Sequence, residues 1–305
     1  MQIKAYAKIN WYLDITGKRP DGYHELDMIN QQVDLHDDLF LTASDTLSLS
    51  VEGHVPGVPS SGDNLVLRAA QALRQAGGVQ AGAALRLYKR IPIGAGLGGG
   101  SADAAAALMG LNRLWSLGYS LPALQTIGLR LGADIPYCLA GGLARVTGIG
   151  EIIQPLPAPS TCRRLLIIKP PGVLRTKDVF AQYRPEDRGE PNSSDKAYEA
   201  LVAGDDAALR RHAKNSLQPA AIRLVSGIQD AIRLLYENGA SLARMTGAGS
   251  AIYGIFNSES CLSAACERLA PLYSCCIETR TLTTRANYAI VAHKAAQDFC
   301  RWQGA

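Results

Sequence analysis

The first half of the chain contains extended apolar runs, bounded by turn signals, and segments whose apolar residues recur at helical spacing. The extended runs predict strands over 3–15, 23–35, 47–51, 84–88 and 143–146. The helical segments predict helices over 65–75, 102–114 and 121–131. Because strands and helices are mixed without strict alternation, the pattern indicates an α+β fold.

Three prolines between positions 155 and 159 interrupt this pattern near the middle of the chain. We place a domain boundary there, which gives an N-terminal domain over 1–154 and a C-terminal domain over 155–305. Beyond the boundary, the pattern predicts strands over 164–169, 242–245, 251–256 and 276–282, and helices over 219–238 and from 286 onward. The helix over 219–238 is predicted to be one amphipathic element, with Ile228, Ile232 and Leu235 on its apolar face.

Composition limits the classes of protein to consider. The chain has 305 residues, of which 47% are hydrophobic and 19% charged, so it is globular and long enough for two domains. A net charge of +4 without a block of like charges argues against a nucleic-acid-binding module. We expect no membrane association, because no apolar run reaches the roughly 18 residues of a spanning helix. Seven cysteines without a CxxC pair, and a start without a signal-peptide pattern, predict a cytoplasmic location. Nothing indicates the oligomeric state.

A glycine-rich segment over 94–101 is the strongest chemical signal in the sequence. Glycines expose backbone N–H groups that can bind phosphate, and the positive end of the following helix adds to the attraction. Five glycines within seven residues would be entropically costly for a plain turn. Ser101 adds a hydroxyl that can either cap the helix or bind Mg²⁺. The segment predicts an ATP-dependent small-molecule kinase.

Two other phosphate motifs fit this segment less well. The P-loop needs a lysine after its last glycine, and Ser101 stands there instead. The dinucleotide fingerprint matches at Gly94, Gly96 and Gly99, but it needs an acidic residue about 20 positions further on to bind the ribose. No acidic residue lies between Asp103 and Asp134, which argues against an NAD-dependent dehydrogenase.

Lys8, Asn10 and Asp134 are candidates for the reacting end of the site. Lys8 and Asn10 share one face of the first predicted strand, either as a positioned pair or as part of a solvated surface. Asp134 precedes Ile135 and Pro136, as a helix N-cap often does. A kinase also needs a carboxylate near the attacking hydroxyl, and a lysine can keep that carboxylate ionised. The spacing alone does not bring Lys8 and Asp134 together.

Three segments, in this order, resemble the GHMP kinases: residues 5–10, residues 92–102 and residues 246–250. Three further stretches resemble members whose substrate carries a cytidyl group: residues 19–26, the triple glycine of the loop at 98–100, and residues 132–136 with 141–142 and 148–151 downstream. The resemblance implies a ribosomal protein S5 domain 2-like N-terminal domain, a ferredoxin-like C-terminal domain and a site between them. It also implies that ATP, with Mg²⁺, phosphorylates the 2-hydroxyl of a methylerythritol unit in non-mevalonate isoprenoid synthesis.

The same resemblance implies roles for individual residues. Lys8 and Asp134 match the catalytic pair, and Ser101 is a candidate Mg²⁺ ligand. The nucleotide-binding positions are Pro92, Ile93, Gly94, Ala95, Gly96, Leu97, Gly98, Gly99, Gly100, Ser101, Ala102 and Asp103. The substrate-binding positions are Asn10, Tyr23, His24, Thr176, Phe180 and Gly247. Asn64 and Leu65 are candidates for the adenine side.

Tyr23 and His24 follow the turn Pro20-Asp21-Gly22, so they can form either a plain hairpin or a pocket that stacks on cytosine and hydrogen-bonds its edge. Homoserine and mevalonate have no base to stack on, so a pocket here would argue against GHMP kinases that act on those substrates. The chain departs from the family at Tyr6, where proline is usual, and at Ala248 and Ser250 in the third segment. It has no clear counterpart of the glutamate that binds Mg²⁺ in some relatives.

Overall fold

The computed structural model describes residues 1–53, 63–172 and 174–284. A mixed sheet of six strands forms the first half of the molecule. The strands are β1 (Gln2–Lys18), β2 (His24–Ser44), β3 (Leu47–Gly53), β4 (Gly82–Lys89), β5 (Leu143–Gly148) and β6 (Ile152–Pro155). The long β2 pairs with β1 along one edge and with β4 and β5 along the other; β3 lies parallel to β4, and β6 closes the sheet beside β5.

A layer of helices covers this sheet. They are α1 (Leu65–Ala76), α2 (Gly99–Leu114), α3 (Leu121–Leu129) and α4 (Ile135–Ala140). Five alanines of α2 are fully buried, and small side chains let the helix lie close to the strands. At Gly110 the approach is closest, because a Cβ there would lie 2.8 Å from side-chain atoms of both Ile3 and Leu41.

A four-stranded antiparallel sheet organises the second half. Its strands are β7 (Arg164–Ile168), β8 (Leu242–Met245), β9 (Ile252–Phe256) and β10 (Cys276–Arg280), in the order β10-β7-β9-β8. The helices are α5 (Thr176–Ala181), α6 (Ser193–Ala203), α7 (Asp206–His212), α8 (Gln218–Leu224), α9 (Gly227–Glu237) and α10 (Glu259–Leu269). The α+β class and the ferredoxin-like second sheet are confirmed.

The structure corrects three expectations about individual elements. The helix predicted over 219–238 is wrong as a single element: α8 and α9 are separated at Val225, whose backbone is extended (φ −138°, ψ 97°). A β-branched residue followed by Ser226 and Gly227 is a weak helix segment. β6 was not predicted, because a mostly exposed four-residue edge strand leaves little pattern. α2 begins at Gly99, three residues before the predicted start.

Polar contacts join the two halves. Leu13 donates its backbone N–H to Lys214 O at 2.8 Å and accepts from Ser216 N at 2.9 Å. The side chain of Gln31 donates to Leu282 O at 2.9 Å. The first sheet ends at Pro155, beside the predicted domain boundary, which stays a prediction. The helix predicted from 286 onward lies outside the described residues. No helix in the described ranges is long and apolar enough to cross a membrane.

Candidate active site

A cavity of about 1210 Å³ is lined by residues of both halves. The sequence-predicted residues that line it are Lys8, Tyr23, His24, Gly94, Gly96, Gly98, Ser101, Asp134, Thr176, Phe180 and Gly247. Those that do not line it are Asn10, Pro92, Ile93, Ala95, Leu97, Gly99, Gly100, Ala102 and Asp103. The structure therefore gathers residues from six separate sequence segments around one space.

The glycine loop alternates between backbone exposed to the cavity and side chains buried in the core. Gly94, Gly96 and Gly98 line the cavity with φ values of 60°, 75° and 70°, a left-handed conformation that favours glycine. Between them, Ala95 and Leu97 are 2% and 1% exposed and anchor the loop. Alternate loop residues on opposite sides explain why only half of the predicted segment reaches the cavity.

The start of α2 supplies free backbone donors next to this loop. Gly98 occupies the N-cap position, and the first intrahelical bond runs from Ala102 N to Gly98 O at 2.9 Å. The N–H groups of residues 98–101 are therefore without intrahelical partners, and the helix dipole places partial positive charge there. The capping role considered for Ser101 is wrong, because Ser101 lies inside the first turn. Ser101 itself lines the cavity.

The third glycine segment, from the second half, packs directly on this loop. A Cβ on Gly96 would lie 2.1 Å from Thr246 O, and a Cβ on Gly247 would lie 2.7 Å from Gly96 O. Ala251 N also donates to Ala95 O at 3.2 Å. The approach is so close at Gly96 and Gly247 that neither position has room for a Cβ. The two glycine segments therefore form one wall of the cavity.

Asn10 lies behind that wall and ties several parts together. It is 1% exposed, and its Oδ1 accepts from Lys8 Nζ at 2.9 Å, from Gly247 N at 2.7 Å and from Thr246 Oγ1 at 3.1 Å. Its Nδ2 donates to Asn30 Oδ1 at 2.6 Å. The geometry makes Asn10 a residue that positions Lys8 and the third glycine segment, whereas the sequence predicted direct contact with substrate.

Lys8 and Asp134 face the same cavity. Lys8 is 3% exposed, and Gly98 leaves room for its stem, since a Cβ there would lie 3.1 Å from Lys8 Cγ. Asp134 occupies the N-cap position of α4, but its side chain makes no capping hydrogen bond. Within the described ranges, no ion pair within 4.0 Å joins the two. Both side chains are close enough to Cys138 to affect its thiol electrostatically. Burial raises the pKa of this thiol, the charge of Asp134 raises it further, and the charge of Lys8 opposes the shift. A carboxylate and an ammonium that share a cavity without bonding each other can both act on a group placed between them.

The other end of the cavity is aromatic. The ring of His24 stacks on Phe180 with centroids 5.1 Å apart and planes at 30°, and Tyr183 meets His24 edge-on at 6.2 Å. Tyr23 stands on the cavity wall, 60% exposed. Burial lowers the pKa of His24, and the charge of Lys18 lowers it further, so the imidazole is neutral near pH 7. A neutral ring offers one donor and one acceptor.

Tyr183 and three cations at this end were missed by the sequence analysis. Tyr183 follows Phe180 at a spacing of three, which was the available signal. Lys18, Lys177 and Arg188 also line the cavity, and no motif includes them. Lys18 ends β1, whereas Lys177 and Arg188 lie in and after α5. Only the tertiary fold brings these two segments together, and the spacing of residues along the sequence does not reveal it.

A buried ionic cluster lies under the glycine loop. Lys89 Nζ donates to Asp37 and, at 2.7 Å, to Asp103 Oδ2. Asp37 Oδ1 also accepts the backbone N–H groups of Arg90 at 2.5 Å and Ile91 at 2.9 Å. Burial raises the pKa of Asp103 well above its usual range, although Lys89 opposes the shift; burial alone would lower the pKa of Lys89, but both carboxylates raise it.

The cluster decides where Asp103 lies. The carboxyl group is 3% exposed and points to Lys89, away from the cavity in which it was predicted to contact the nucleotide. On the adenine side, Asn64 Oδ1 accepts from Val66 N at 2.9 Å and caps α1. Contact of Asn64 or Leu65 with adenine stays a prediction.

The cavity has the N–H groups of a helix N-terminus at one end and a ring-stacking surface at the other, an arrangement that suits a small-molecule kinase. Two family patterns match the chain: the GHMP kinases N terminal domain over residues 64–142, and GHMP kinases C terminal over residues 197–273. The chain is also 42% identical to a 4-diphosphocytidyl-2-C-methyl-D-erythritol kinase of Pelotomaculum thermopropionicum over 254 residues, 82% of this chain and 87% of the relative.

A kinase of the same name from Paracidovorax citrulli is 43% identical over 253 residues, 82% of this chain and 85% of the relative. A crystal structure of 4-(cytidine 5'-diphospho)-2C-methyl-D-erythritol kinase superposes with a TM-score of 0.79 at 31% identity, covering 92% of this chain and 99% of that one. The homoserine kinase of Cytophaga hutchinsonii, at 18% identity and a TM-score of 0.68, shares the fold alone, over 93% of this chain and 94% of its own. The chain therefore belongs to the GHMP kinases and, among them, to the family of 4-diphosphocytidyl-2-C-methyl-D-erythritol kinases.

Proposed function

We propose that the protein uses ATP to phosphorylate the 2-hydroxyl of 4-diphosphocytidyl-2-C-methyl-D-erythritol, a step in the non-mevalonate synthesis of isoprenoid precursors. One observation carries the proposal. A single cavity joins the glycine loop, the Lys8–Asp134 pair and the aromatic cluster of His24 and Phe180. The family membership agrees with it, because relatives above 40% identity carry the name of this kinase.

The glycine loop is proposed to hold the triphosphate of ATP. Free N–H groups of residues 98–101 and the dipole of α2 favour a polyanion at this place. Mg²⁺, when bound, would neutralise charge on the phosphates. The described residues contain no group of three His, Cys, Asp or Glu side chains suited to a metal ion. These residues fit a Mg²⁺ ion that would be held mainly by phosphate oxygens and water, with the hydroxyl of Ser101 as its protein ligand.

The Lys8–Asp134 pair is proposed to act on the attacking hydroxyl. Asp134 orients the hydroxyl and accepts its proton, and Lys8 neutralises charge on the phosphoryl group as it is transferred. Asn10 fixes the Lys8 ammonium through the 2.9 Å hydrogen bond, so the cation needs no rearrangement during the reaction. Placing the reactants accounts for most of the expected rate enhancement, because phosphoryl transfer needs little covalent help.

The aromatic end is proposed to bind cytosine. Phe180 and Tyr23 offer ring faces, and neutral His24 offers a directed hydrogen bond to the edge of a base. The GHMP kinases that act on homoserine or mevalonate have acceptors without a base. This end of the cavity therefore favours the cytidyl substrate over those two.

The proposed reaction is tested by ADP release from the purified protein with three acceptors: the diphosphocytidyl alcohol, homoserine and mevalonate. We expect ATP- and Mg²⁺-dependent release with the first, and only background release with the other two. Preferred turnover of homoserine or mevalonate would replace the proposed acceptor.

A Tyr23→Ala variant tests the cytosine contact. We expect KM for the diphosphocytidyl acceptor to rise by about tenfold, because stacking a base on an aromatic ring contributes about 1–3 kcal/mol. The kcat should change little, since Tyr23 is remote from the transferred phosphoryl group. The comparison is 2-C-methyl-D-erythritol 4-phosphate, which lacks the base. An equal rise in KM for both acceptors would remove Tyr23 from the cytosine subsite.

A further inference from the structure

The cavity carries more positive charge than the proposed chemistry uses. Among the described residues that line it, Lys8, Lys18, Lys177 and Arg188 are cationic, and Asp134 is the only carboxylate. Lys8 is already bonded to Asn10. The other three stand at the aromatic end, and their side chains are exposed.

These three side chains have no partner within the described protein. Neither an ion pair nor a side-chain hydrogen bond involves the charged groups of Lys18, Lys177 or Arg188 in the described ranges. The neighbouring carboxylates are taken by other cations. Asp178 pairs with Arg175 at 2.6 Å, and Asp187 pairs with Arg223 at 2.9 Å.

Two further acids near β1 are also unavailable. Asp14 accepts from the hydroxyl of Ser216 and from Gly189 N, so its Oδ1 is occupied. Glu25 pairs with Gly17 in the β1–β2 ladder, while Lys18 pairs with His24. Successive side chains of a strand point to opposite faces, so Glu25 lies on the other face from Lys18. Among the residues that the structure describes, the three cations therefore lack a counter-ion of their own.

Each cation is also placed next to one ring of the aromatic cluster. Lys18 is the register partner of His24, and its charge acts on that ring. Lys177 precedes Phe180 by three residues in α5, so the two share a helix face. The charge of Arg188 acts on Tyr183. Each of the three rings beside the place proposed for cytosine therefore has one cationic side chain near it.

We propose that Lys18, Lys177 and Arg188 form a diphosphate subsite that binds the pyrophosphoryl bridge of the acceptor beside its base. The subsite rests on the function proposed above. In a cytidine diphosphate only the ribose separates the base from the diphosphate. If the base lies in the aromatic cluster, the diphosphate must therefore lie close beside that cluster. Two ammonium groups and one guanidinium match a group with several charged oxygens, because charge-assisted hydrogen bonds to phosphate are strong and arginine can bind it through two N–H groups.

The experiment measures the affinity of CDP and of cytidine by titration calorimetry, at low and at physiological salt. CDP carries the diphosphate and cytidine does not, so their ratio isolates the subsite. Wild-type protein is expected to bind CDP at least about tenfold more tightly than cytidine. In the triple variant Lys18→Gln, Lys177→Gln, Arg188→Gln, this preference should fall to about twofold, and the salt dependence of CDP binding should flatten.

The matched control is Arg211→Gln, which removes an exposed cation of α7 that does not line the cavity. It should keep the preference for CDP. A triple variant with an unchanged ratio of the two affinities overturns the subsite. So does a wild-type protein that binds CDP no more tightly than cytidine.

The subsite and the proposed reaction fail in different ways. If the wild type discriminates CDP from cytidine but releases ADP only with another acceptor, the acceptor is wrong and the diphosphate subsite stands. If ADP release requires the diphosphocytidyl acceptor while the triple variant keeps its KM for that acceptor, the reaction stands and the subsite is overturned.

Discussion

Replacing Asp134 by asparagine is expected to lower kcat by about 10²-fold or more while leaving the stability of the protein unchanged. The loss follows from the proposed role of Asp134 as general base, because such a base contributes about 10²- to 10⁴-fold. Stability should not change, because the carboxylate makes no capping hydrogen bond to α4. The measurements are steady-state ADP release and the thermal unfolding midpoint. KM for the acceptor should change little, since asparagine keeps the size of the side chain.

The control for this variant is Asp178→Asn. Asp178 belongs to α5 near the aromatic end, but its carboxylate pairs with Arg175 and does not line the cavity. We expect near-normal kcat from it. Near-normal turnover in Asp134→Asn would remove Asp134 from the base role. A thermal midpoint several degrees below that of the wild type would instead show that its carboxylate is structural.

Local signals were sufficient for the glycine loop. Gly94 to Ser101 joins a turn to a helix within one short stretch, so neighbouring residues alone predict its backbone shape, while its binding of phosphate stays a prediction. The start of α2 was predicted late because Gly99 and Gly100 are poor helix formers, and propensity hides them. Tertiary packing overrides it here: a Cβ on Gly99 would lie 2.9 Å from Ile91.

The first strand shows where periodicity stops being informative. Alternation correctly placed Lys8 and Asn10 together, and their side chains are bonded to each other. The alternative of a solvated face is wrong, because both are buried along with Ala7 and Ile9. β1 is covered on both faces, and a sequence pattern cannot show that the second half of the molecule supplies the second cover. Thr246, which donates a hydrogen bond to the side chain of Asn10, lies more than 200 positions away in the chain.

Long-range contacts also decide the fate of the predicted site residues. Tyr23 and His24 were recognised from one turn, yet the stacking of His24 on Phe180 joins β2 to α5. The resemblance to the GHMP kinases implied that Asp103 contacts the nucleotide, whereas its carboxyl group bonds Lys89 of β4. Lysines occur at many positions in this chain, so no sequence signal distinguishes the one that will be buried beside two carboxylates.

Lys89→Met is expected to reduce the free energy of unfolding by about 3 to 5 kcal/mol, the cost of leaving buried charge without its partner. Lys89 is 3% exposed and is the cation between Asp37 and Asp103. The measurement is urea denaturation at pH 7. The control Arg90→Met removes the adjacent cation, which is 42% exposed in its pair with Asp38, and should cost less than about 1 kcal/mol.

The double variant Lys89→Met, Asp103→Leu separates buried charge from lost packing. Replacing Asp103 by an apolar group removes one of the two buried carboxyl groups that Lys89→Met leaves without their cation, so the double variant should be more stable than Lys89→Met alone. A double variant less stable than the single one would show that packing, not charge, sets the cost.

The cluster also fixes Arg90 and Ile91 through the oxygen of Asp37, directly before the glycine loop. The affinity for ATP should therefore fall in Lys89→Met, even at temperatures where the variant remains folded. In the double variant, the affinity for ATP should recover only if the glycine loop returns to its position, whatever the gain in stability.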